Sequence, residues 1–373
     1  MTDDSLAAPR FGAGPALALG LEDELLLVDG EQHALADTAV AILDAFAVPK
    51  AEGEAKPDMY AAMVELTAPV STSADAATRA ISALRARVRE AGGTVIGAGI
   101  HPAAAHGEVV HFPAERYAAI LARHRGLMRR TPTGAVHVHV AMPDPETAIR
   151  ACNGLRDHLP VLGALAANSP FWFGVDSGLQ SARSALFRGL RGAEIPRAFA
   201  SYADYAETAA AAVAAGDLGD HTFLWWDVRP HPRLGTVEVR AMDGQSALWG
   251  VAGLAALVRA LAAREADPAT RPGRTGSTPR EALVEASFAA HRDGLDARLP
   301  LDGALRPARE VVRATLDLAR PYARDLGDGD ALEAIDRITA EGNGANRQRA
   351  AYARGGMAAM LELLVAEAAA PYA

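Results

Sequence analysis

Val136-His137-Val138-His139-Val140 is the stretch that decides the fold, because apolar residues and metal-binding residue types alternate strictly along it. Successive side chains of a β-strand point to opposite faces, so a strand here presents valines on one side and histidines on the other. The valines need an apolar surface to pack on. The alternation therefore predicts a strand of an antiparallel sheet, with one face on the hydrophobic core and one polar face.

Two further segments repeat this arrangement. Glu22 and Glu24 are two positions apart in LEDEL, and Glu238 and Arg240 are two positions apart in VEVR. If the three strands share a sheet, its polar face gathers three carboxylates, two imidazoles and a guanidinium. One interpretation is a face that meets solvent, but such faces are usually rich in Thr, Lys, Ser and Gln. The other is a concave face that holds hard divalent cations such as Mg²⁺ or Mn²⁺, and the repetition favours it.

A fourth strand adds an acid to the same candidate site. Glu65 lies between apolar neighbours in MVELT, and Asp58 precedes it by seven positions. An odd separation puts the two side chains on opposite faces of one regular strand. Asp58 would therefore join the site only from a loop or across a bulge, and a simple turn after Pro57 is the alternative.

The order of predicted elements indicates an α+β fold, an antiparallel sheet with helices packed behind it. The strands do not alternate regularly with crossover helices, which argues against a doubly wound sheet. The expected strands are 16–29, 60–70, 94–100, 136–142, 222–228 and 236–242, the last two joined as a hairpin. The expected helices are 73–91, 114–129, 145–168, 248–262, 280–291, 307–320, 331–341 and 357–369.

The chain reads as one catalytic domain over residues 16–370, preceded by a flexible arm over residues 1–15. Residues 263–279 are rich in Pro, Gly and Thr and form a possible lid or linker. A helical part follows over residues 280–370. Neither a GxxxxGK[ST] nor a GxGxxG stretch occurs, so a P-loop or Rossmann nucleotide site is not expected.

Composition excludes several functional classes. The 373 residues carry 37 basic and 46 acidic side chains, a formal net charge of −9, which disfavours binding to nucleic acid or to an anionic membrane. Lys50 and Lys56 are the only lysines, so a lysine nucleophile has little support. Cys152 is the single cysteine, which excludes a disulfide framework and favours a cytoplasmic location. A signal peptide and an uninterrupted membrane-spanning run are both missing from the sequence.

Several long motifs are similar to those of the second family of glutamate–cysteine ligases, also described as YbdK-type carboxylate–amine ligases. They occur in the family's order over roughly residues 18–365. The matching stretches are GLEDE at 20–24, MVELTAPV at 63–70, GIHP at 99–102, GAVHVHV at 134–140, AANSPFWFGVDSGLQSARSALF at 166–187, WWDVRPHPRLGTVEVRAMDGQS at 225–246 and EGNGANRQRAAY at 341–352.

The resemblance implies a glutamine-synthetase-like catalytic cup and ATP-dependent amide formation on the side-chain carboxylate of glutamate, with an amine such as cysteine as acceptor. It also implies a homodimer. Arg240 matches the arginine that meets the nucleotide phosphates. The positions that match metal ligands are Glu22, Glu24, Asp58, Glu65, His137 and Glu238. That set agrees with the one obtained from strand facing and adds Asp58 to it.

Further candidates are less specific. Arg125 is a candidate phosphate contact by alignment with related ligases, and His139, on the same face as His137, is a candidate substrate-site residue. Arg183 is a candidate clamp for a substrate carboxylate, since arginine binds carboxylates through two parallel hydrogen bonds. Arg347 and Arg349 are candidate nucleotide contacts at the start of a helix, although an ordinary structural ion pair fits them slightly better.

Departures from the family's usual residues fall outside the metal ligands. Ala141 replaces a usual Gly, Met242 a common Cys and Asn346 a usual Asp. They leave the identity of the amine open. Three alternatives also remain at this stage. They are a metal-dependent amide hydrolase, a phosphoryl-transfer enzyme that stops at the phosphorylated acceptor, and a binding protein without activity.

Overall fold

A single sheet organises the molecule. The computed structural model describes residues 4–105, 107, 109–270 and 278–372. Its strands are β1 (Leu19–Val28), β2 (Glu54–Pro57), β3 (Met63–Thr67), β4 (Thr94–Ile96), β5 (Ala135–Ala141), β6 (Phe171–Trp172), β7 (Val175–Asp176), β8 (Val228–His231), β9 (Thr236–Asp243), β10 (Arg298–Leu301) and β11 (Ala304–Pro307). The large sheet has the order β2-β3-β1-β5-β9-β8, and β4 pairs with the end of β1 beyond β5. Every pairing in it is antiparallel, as predicted.

Helices surround this sheet. They are α1 (Ala39–Asp44), α2 (Ala74–Glu90), α3 (Glu115–His124), α4 (Pro145–Leu155), α5 (Leu159–Ala166), α6 (Ala182–Phe187), α7 (Tyr202–Gly216), α8 (Leu248–Ala266), α9 (Arg280–Asp293), α10 (Ala308–Asp325), α11 (Gly329–Glu341) and α12 (Gly344–Ala369). Short 3₁₀ turns occur at Asp4–Leu6, Lys50–Glu52, Arg125–Arg129, Arg156–His158, His221–Phe223 and Gly294–Asp296. Among the described helices, none combines the length and the apolar character that a membrane span requires.

The apolar face of the central strands carries the main core. The three valines of β5 are fully buried and belong to one cluster with side chains of α2, α4, α5 and α8. Helix α8 is buried almost along its whole length, which explains why its sequence is apolar all round rather than amphipathic. Because this face is filled by helices, the alternate residues of the same strands must point to the opposite, concave face.

A buried ion pair fastens α2 to the sheet. Arg85 on α2 donates from Nε to Oδ2 of Asp23 on β1 at 2.8 Å, and both side chains are almost wholly buried. The same guanidinium donates to the carbonyl oxygens of Gln245 and Ser246 at 2.7 and 2.6 Å. Asp23 therefore occupies the helix side of β1, between Glu22 and Glu24 on the concave side.

Several predicted boundaries are wrong. Residues 222–228 do not form a strand, because the hairpin strand β8 is Val228–His231 and a 3₁₀ turn precedes it. Pro230 is tolerated within β8 because β8 lies at the sheet edge, where a residue can lack a backbone donor. Helix α12 begins at Gly344 rather than 357, with a capping box between Asn343 and Asn346 and non-helical backbone at residues 355–356.

The ends of two predicted segments also differ. Residues 263–266 of the expected lid or linker continue α8, and residues 271–277 of it lie outside the described residues. Part of the expected flexible arm is held against the sheet. Arg10 donates its backbone N–H to the Pro232 oxygen at 2.8 Å, and Gly12 donates to the Met142 oxygen at 2.9 Å.

We predict that Arg85→Ala lowers the free energy of unfolding by about 3–5 kcal/mol, because it leaves the Asp23 carboxylate buried without its partner. Arg320→Ala, which breaks an exposed pair with Asp336, is the control and costs about 0–1 kcal/mol. Denaturant titration measures both. Equal losses in the two variants would show that the buried pair does not fasten α2 to the sheet.

Candidate functional site

The register of the antiparallel strands brings the predicted ligands together. Glu22 on β1 lies opposite His137 on β5, and Glu24 lies opposite Glu65 on β3. One step along the sheet, His139 lies opposite Glu238 on β9. These pairs all point to the concave face, so neighbouring strands contribute adjoining side chains.

An irregularity in the sheet lies beside this cluster. The register between β5 and β9 shifts between Val136 and Val138, so that Arg240 and Ala241 together face the single residue His137. An extra residue of this kind bends a strand and re-aims its side chains. Here it keeps Arg240 on the concave face while the following residue, Ala241, turns toward the core.

Glu22, His137 and Glu238 offer ligand atoms that all lie within 4.8 Å of one another. His137 contacts two carboxylates, with Nδ1 3.0 Å from Glu22 Oε2 and Nε2 3.5 Å from Glu24 Oε1. Burial and the nearby Arg240 charge lower the pKa of His137 to about 4, which keeps its imidazole neutral and able to bind a cation. Two carboxylates and one neutral imidazole form a donor set that suits Mg²⁺ or Mn²⁺.

A second group of acids adjoins the first. Glu24, Asp58 and Glu65 all line the same cavity, and Asp58 reaches it from the loop that follows β2, the route the sequence left open. Burial, together with the charges of Asp58 and Glu65, raises the pKa of Glu24 well above its usual range. Burial and the Glu22 charge raise the pKa of Glu65 to about 7. Carboxyl groups crowded in this way resist ionisation, and a bound cation relieves that repulsion.

Two neighbouring arginines keep the carboxylate of Glu238 ionised. Burial opposes its charge, but Arg229 and Arg240 outweigh burial and hold the pKa of Glu238 well below its usual range. Arg229 Nε donates to Glu238 Oε2 at 2.7 Å, and Arg240 bonds the other carboxylate oxygen. Lys56 pairs in turn with Glu65 at 2.9 Å.

Several buried polar atoms of the site lack a hydrogen-bond partner among the described residues. They are His139 Nε2, Arg183 Nε and Arg240 Nε. His139 Nε2 is 3.4 Å from Glu22 Oε1, without hydrogen-bond geometry. Burial lowers the pKa of His139, but Glu238 and Glu22 outweigh it and raise the pKa overall. Unsatisfied buried donors and acceptors cost free energy, so their concentration here fits a site completed by cations and anionic substrate groups.

These groups share one cavity of about 390 Å³. Its floor is the concave sheet face, and the loop after β2, helix α3 and the segment before β8 form its walls. The lining residues are Glu22, Glu24, Lys56, Asp58, Met59, Tyr60, Glu65, Arg116, Tyr117, Ile120, Met128, Thr133, His137, His139, Arg183, Phe187, Leu190, Thr222, Trp225, Arg229, His231, Glu238 and Arg240.

The structure does not bring every predicted arginine to this cavity. Arg183 and Arg240 line it, but Arg125 is exposed on a 3₁₀ turn outside it. Arg347 pairs with Glu367 at 2.9 Å, and Arg349 pairs with Asp176 at 2.7 Å. Both arginines form structural ion pairs, the interpretation that the sequence slightly favoured over nucleotide contacts.

Two cavity arginines were missed. Arg229 lies opposite Glu238 across the β8–β9 hairpin, and its alternation with Val228 and Pro230 was a usable signal once β8 is placed correctly. Arg116 is on α3, with its guanidinium 4.2 Å from the centre of the Phe223 ring. No local pattern in the sequence distinguishes Arg116 from the other surface arginines.

Comparison with known families gives a match to glutamate–cysteine ligase family 2 over residues 18–367, which is most of the chain. The chain belongs to this family. It is therefore a ligase, as the motif resemblance implied. A putative glutamate–cysteine ligase of Rubrobacter xylanophilus is 37% identical over 373 residues, covering 97% of this chain and 99% of the relative. A glutamate–cysteine ligase of Halobacterium salinarum is 33% identical, covering 89% and 91%.

Solved structures confirm the α+β fold of this family member. The glutamate–cysteine ligase of Francisella tularensis in complex with AMP has a TM-score of 0.73 at 13% identity, covering 95% of this chain and 88% of that chain. A bifunctional glutathione synthetase from Pasteurella multocida has a TM-score of 0.67 at 16% identity, covering 95% and 51%. At these identities the likeness concerns the fold.

We predict that Mg²⁺ or Mn²⁺ raises the unfolding temperature more at pH 8 than at pH 6, because a cation must displace protons from Glu24 and Glu65, whose pKa values are raised. Scanning calorimetry at fixed ionic strength measures the shift. Glu54→Gln, at an exposed position on β2, is the control and keeps the wild-type pattern. A larger shift at pH 6 would contradict the assignment.

In the metal-free protein, Glu65 has the opposite effect, because its contribution to the stability of the fold decreases as the pH rises. Its pKa rises from 4.5 to about 7 on folding, so the folded chain binds this proton more tightly. The stability that this proton contributes is present below pH 4.5 and is lost as the pH rises through 7. Stabilisation by the cation therefore grows over the same interval in which the protein alone weakens.

Proposed function

We propose that the protein is an ATP-dependent carboxylate–amine ligase that joins the side-chain carboxylate of glutamate to a small amine, with cysteine as the first candidate. The observation that carries this proposal is the concave sheet face, where the acidic ligand set, Arg183 and Arg240 line one cavity. Family membership supports the reaction type.

The reaction explains why acids and arginines share this cavity. A carboxylate is a poor electrophile at neutral pH, so transfer of the ATP γ-phosphoryl group to a glutamate oxygen comes first. The amine then attacks the carbonyl carbon of this acyl phosphate, the bond from carbon to the bridging oxygen breaks, and inorganic phosphate leaves with that oxygen. The first step brings two anions together and the second expels phosphate, so both need fixed positive charge at the reacting oxygens.

Arg240 supplies such charge to the transferred phosphoryl group. It is largely buried, and Glu238 leaves its Nε free for a substrate oxygen. Arg183 is suited to the α-carboxylate of glutamate. Its Nη1 lies 3.8 Å from Asp243 and its Nη2 donates to the Arg240 carbonyl oxygen at 3.4 Å, whereas its Nε has no partner among the described residues and is available for a carboxylate oxygen.

Glu22, His137 and Glu238 would hold one cation, and Glu24, Asp58 and Glu65 a second one, with Mg²⁺ the expected ion and Mn²⁺ a substitute. A cation held by these residues would supply positive charge against the phosphates. The crowding of the second set, seen in the raised pKa of Glu24 and Glu65, supports this division.

Cysteine as acceptor is supported by the names of relatives, which include glutamate–cysteine ligases. The cavity wall away from the acids is apolar, with Ile120, Met128 and Leu190 among its residues. A thiol side chain suits that environment. The hydrolase alternative would use the acids without nucleotide, and membership of a ligase family does not favour it.

We further propose that residues 16–370 act as one catalytic unit in a cytoplasmic homodimer. The exposed apolar side chains of Val284 and Phe288 on α9, with Leu305 on β11, support self-association at that end of the molecule. The single cysteine, Cys152, is buried, and a chain without a disulfide framework agrees with a reducing compartment. Sedimentation velocity distinguishes the dimer from the monomer.

We predict that the purified protein releases ADP from Mg²⁺–ATP only when glutamate and an amine are both present, and that one amine of a panel containing cysteine stands out. Glu65→Gln lowers kcat by about 100-fold or more, since even residues that only orient metal ligands contribute 10- to 100-fold. Glu54→Gln is the matched control and keeps the wild-type rate. Amine-independent release at full rate, or an unaffected Glu65→Gln variant, would contradict the proposal.

A further inference from the structure

A second cavity of about 260 Å³ opens on the same sheet face. It shares Glu22 and His139 with the first cavity, so the two meet at the candidate metal ligands. Its lining differs in character, because small and apolar residues such as Ala68, Met142 and Leu234 dominate it.

The strand register explains this change of character. On β1 the concave face carries Gly20, two residues before Glu22. On β5 it carries Ala141, two residues after His139. Ala141 in turn lies opposite Thr236 on β9. The face therefore changes from long charged side chains to very short ones within one step along the strands. A shallow apolar bay is left beside the metal ligands.

The N-terminal arm, defined here as residues 10–15, forms the outer wall of this bay. Its backbone is fixed at Arg10 and Gly12 by the bonds to the Pro232 and Met142 oxygens. A Cβ on Gly235 would lie 2.4 Å from the Arg10 oxygen, so the hairpin turn needs glycine for the arm to approach this closely. Phe11 anchors the arm from outside by an edge-to-face contact with Tyr202, at 5.8 Å between ring centres.

The two cavities suit different parts of the proposed substrates. The first is lined by Arg183, Arg240 and Lys56, which match the charged groups of glutamate and of the phosphates. The second offers an apolar space next to Glu22, a candidate ligand of the cation that would bind the triphosphate. A nucleotide base is the apolar, planar portion of the substrates and the one that needs such a space.

We propose that residues 10–15 form a wall of the nucleotide-base pocket and contribute directly to nucleotide affinity. This inference rests on the proposed function, in which ATP is the phosphoryl donor. The family match begins at residue 18, so the segment lies ahead of the region shared with the family.

The test is calorimetric binding of two probes in the presence of Mg²⁺. One probe is a non-hydrolysable ATP analogue and the other is inorganic tripolyphosphate, which lacks the base. Deletion of residues 2–14 weakens binding of the analogue by roughly tenfold, as expected for an apolar ring that loses one covered face, and leaves tripolyphosphate binding unchanged. Deletion of residues 2–5, ahead of the wall, is the matched control and changes neither affinity.

Phe11→Ala loosens the arm without removing it, so it is the second variant if the deletion fails to fold. This substitution weakens binding of the ATP analogue by a smaller factor than the deletion does, and it again leaves tripolyphosphate binding unchanged. An equal loss for both probes would show that the arm acts on the phosphate region, and no loss would show that it does not touch the base. Either result overturns the inference. If the unaltered protein binds neither probe, the proposed function fails together with it.

Discussion

The two-sided alternation of the central strands is the constraint on which the rest of the structure depends. Valines on β5 and β9 pack on the helices behind the sheet, and this packing fixes which residues face the cavity. A shift of one residue in register would bury the glutamates and histidines in the core and expose the valines. The hydrophobic core thus fixes the geometry of the site, although it contributes no atom to it.

The site that results is electrostatically incomplete. Glu238 is ionised by its two arginines, whereas Glu24 and Glu65 crowd one another and hold protons more tightly than ordinary acids. The cavity lining contains five acidic and five basic side chains, yet the basic ones do not offset the crowding at Glu24 and Glu65, whose pKa values remain raised. In the proposed reaction, cations and the anionic substrates that accompany them would complete the site, which is the arrangement that phosphoryl transfer to a carboxylate requires.

The site residues on strands with strict apolar–polar alternation were predictable from the sequence, whereas most of those on loops and helices were not. Glu22, His137 and Glu238 were found from strand facing alone, because a period of two fixes the face. Asp58 required the resemblance, since it reaches the cavity from a loop whose course no periodicity encodes. Arg116 and Arg125 show the limit most clearly. Both are arginines near α3, yet only Arg116 lines the cavity, and that depends on tertiary packing. The docked arm escaped prediction for the same reason, because its partners are backbone atoms 130 or more residues away along the chain.

The central claim is that glutamate is activated as an acyl phosphate on this sheet face. Its most direct test is to supply glutamate labelled with ¹⁸O in the side-chain carboxylate and to analyse the released phosphate by mass spectrometry. Activation as an acyl phosphate predicts that each inorganic phosphate carries one oxygen from the labelled carboxylate and that no phosphate is released without formation of the amide. Phosphate without label, alongside normal formation of the amide, would contradict the account.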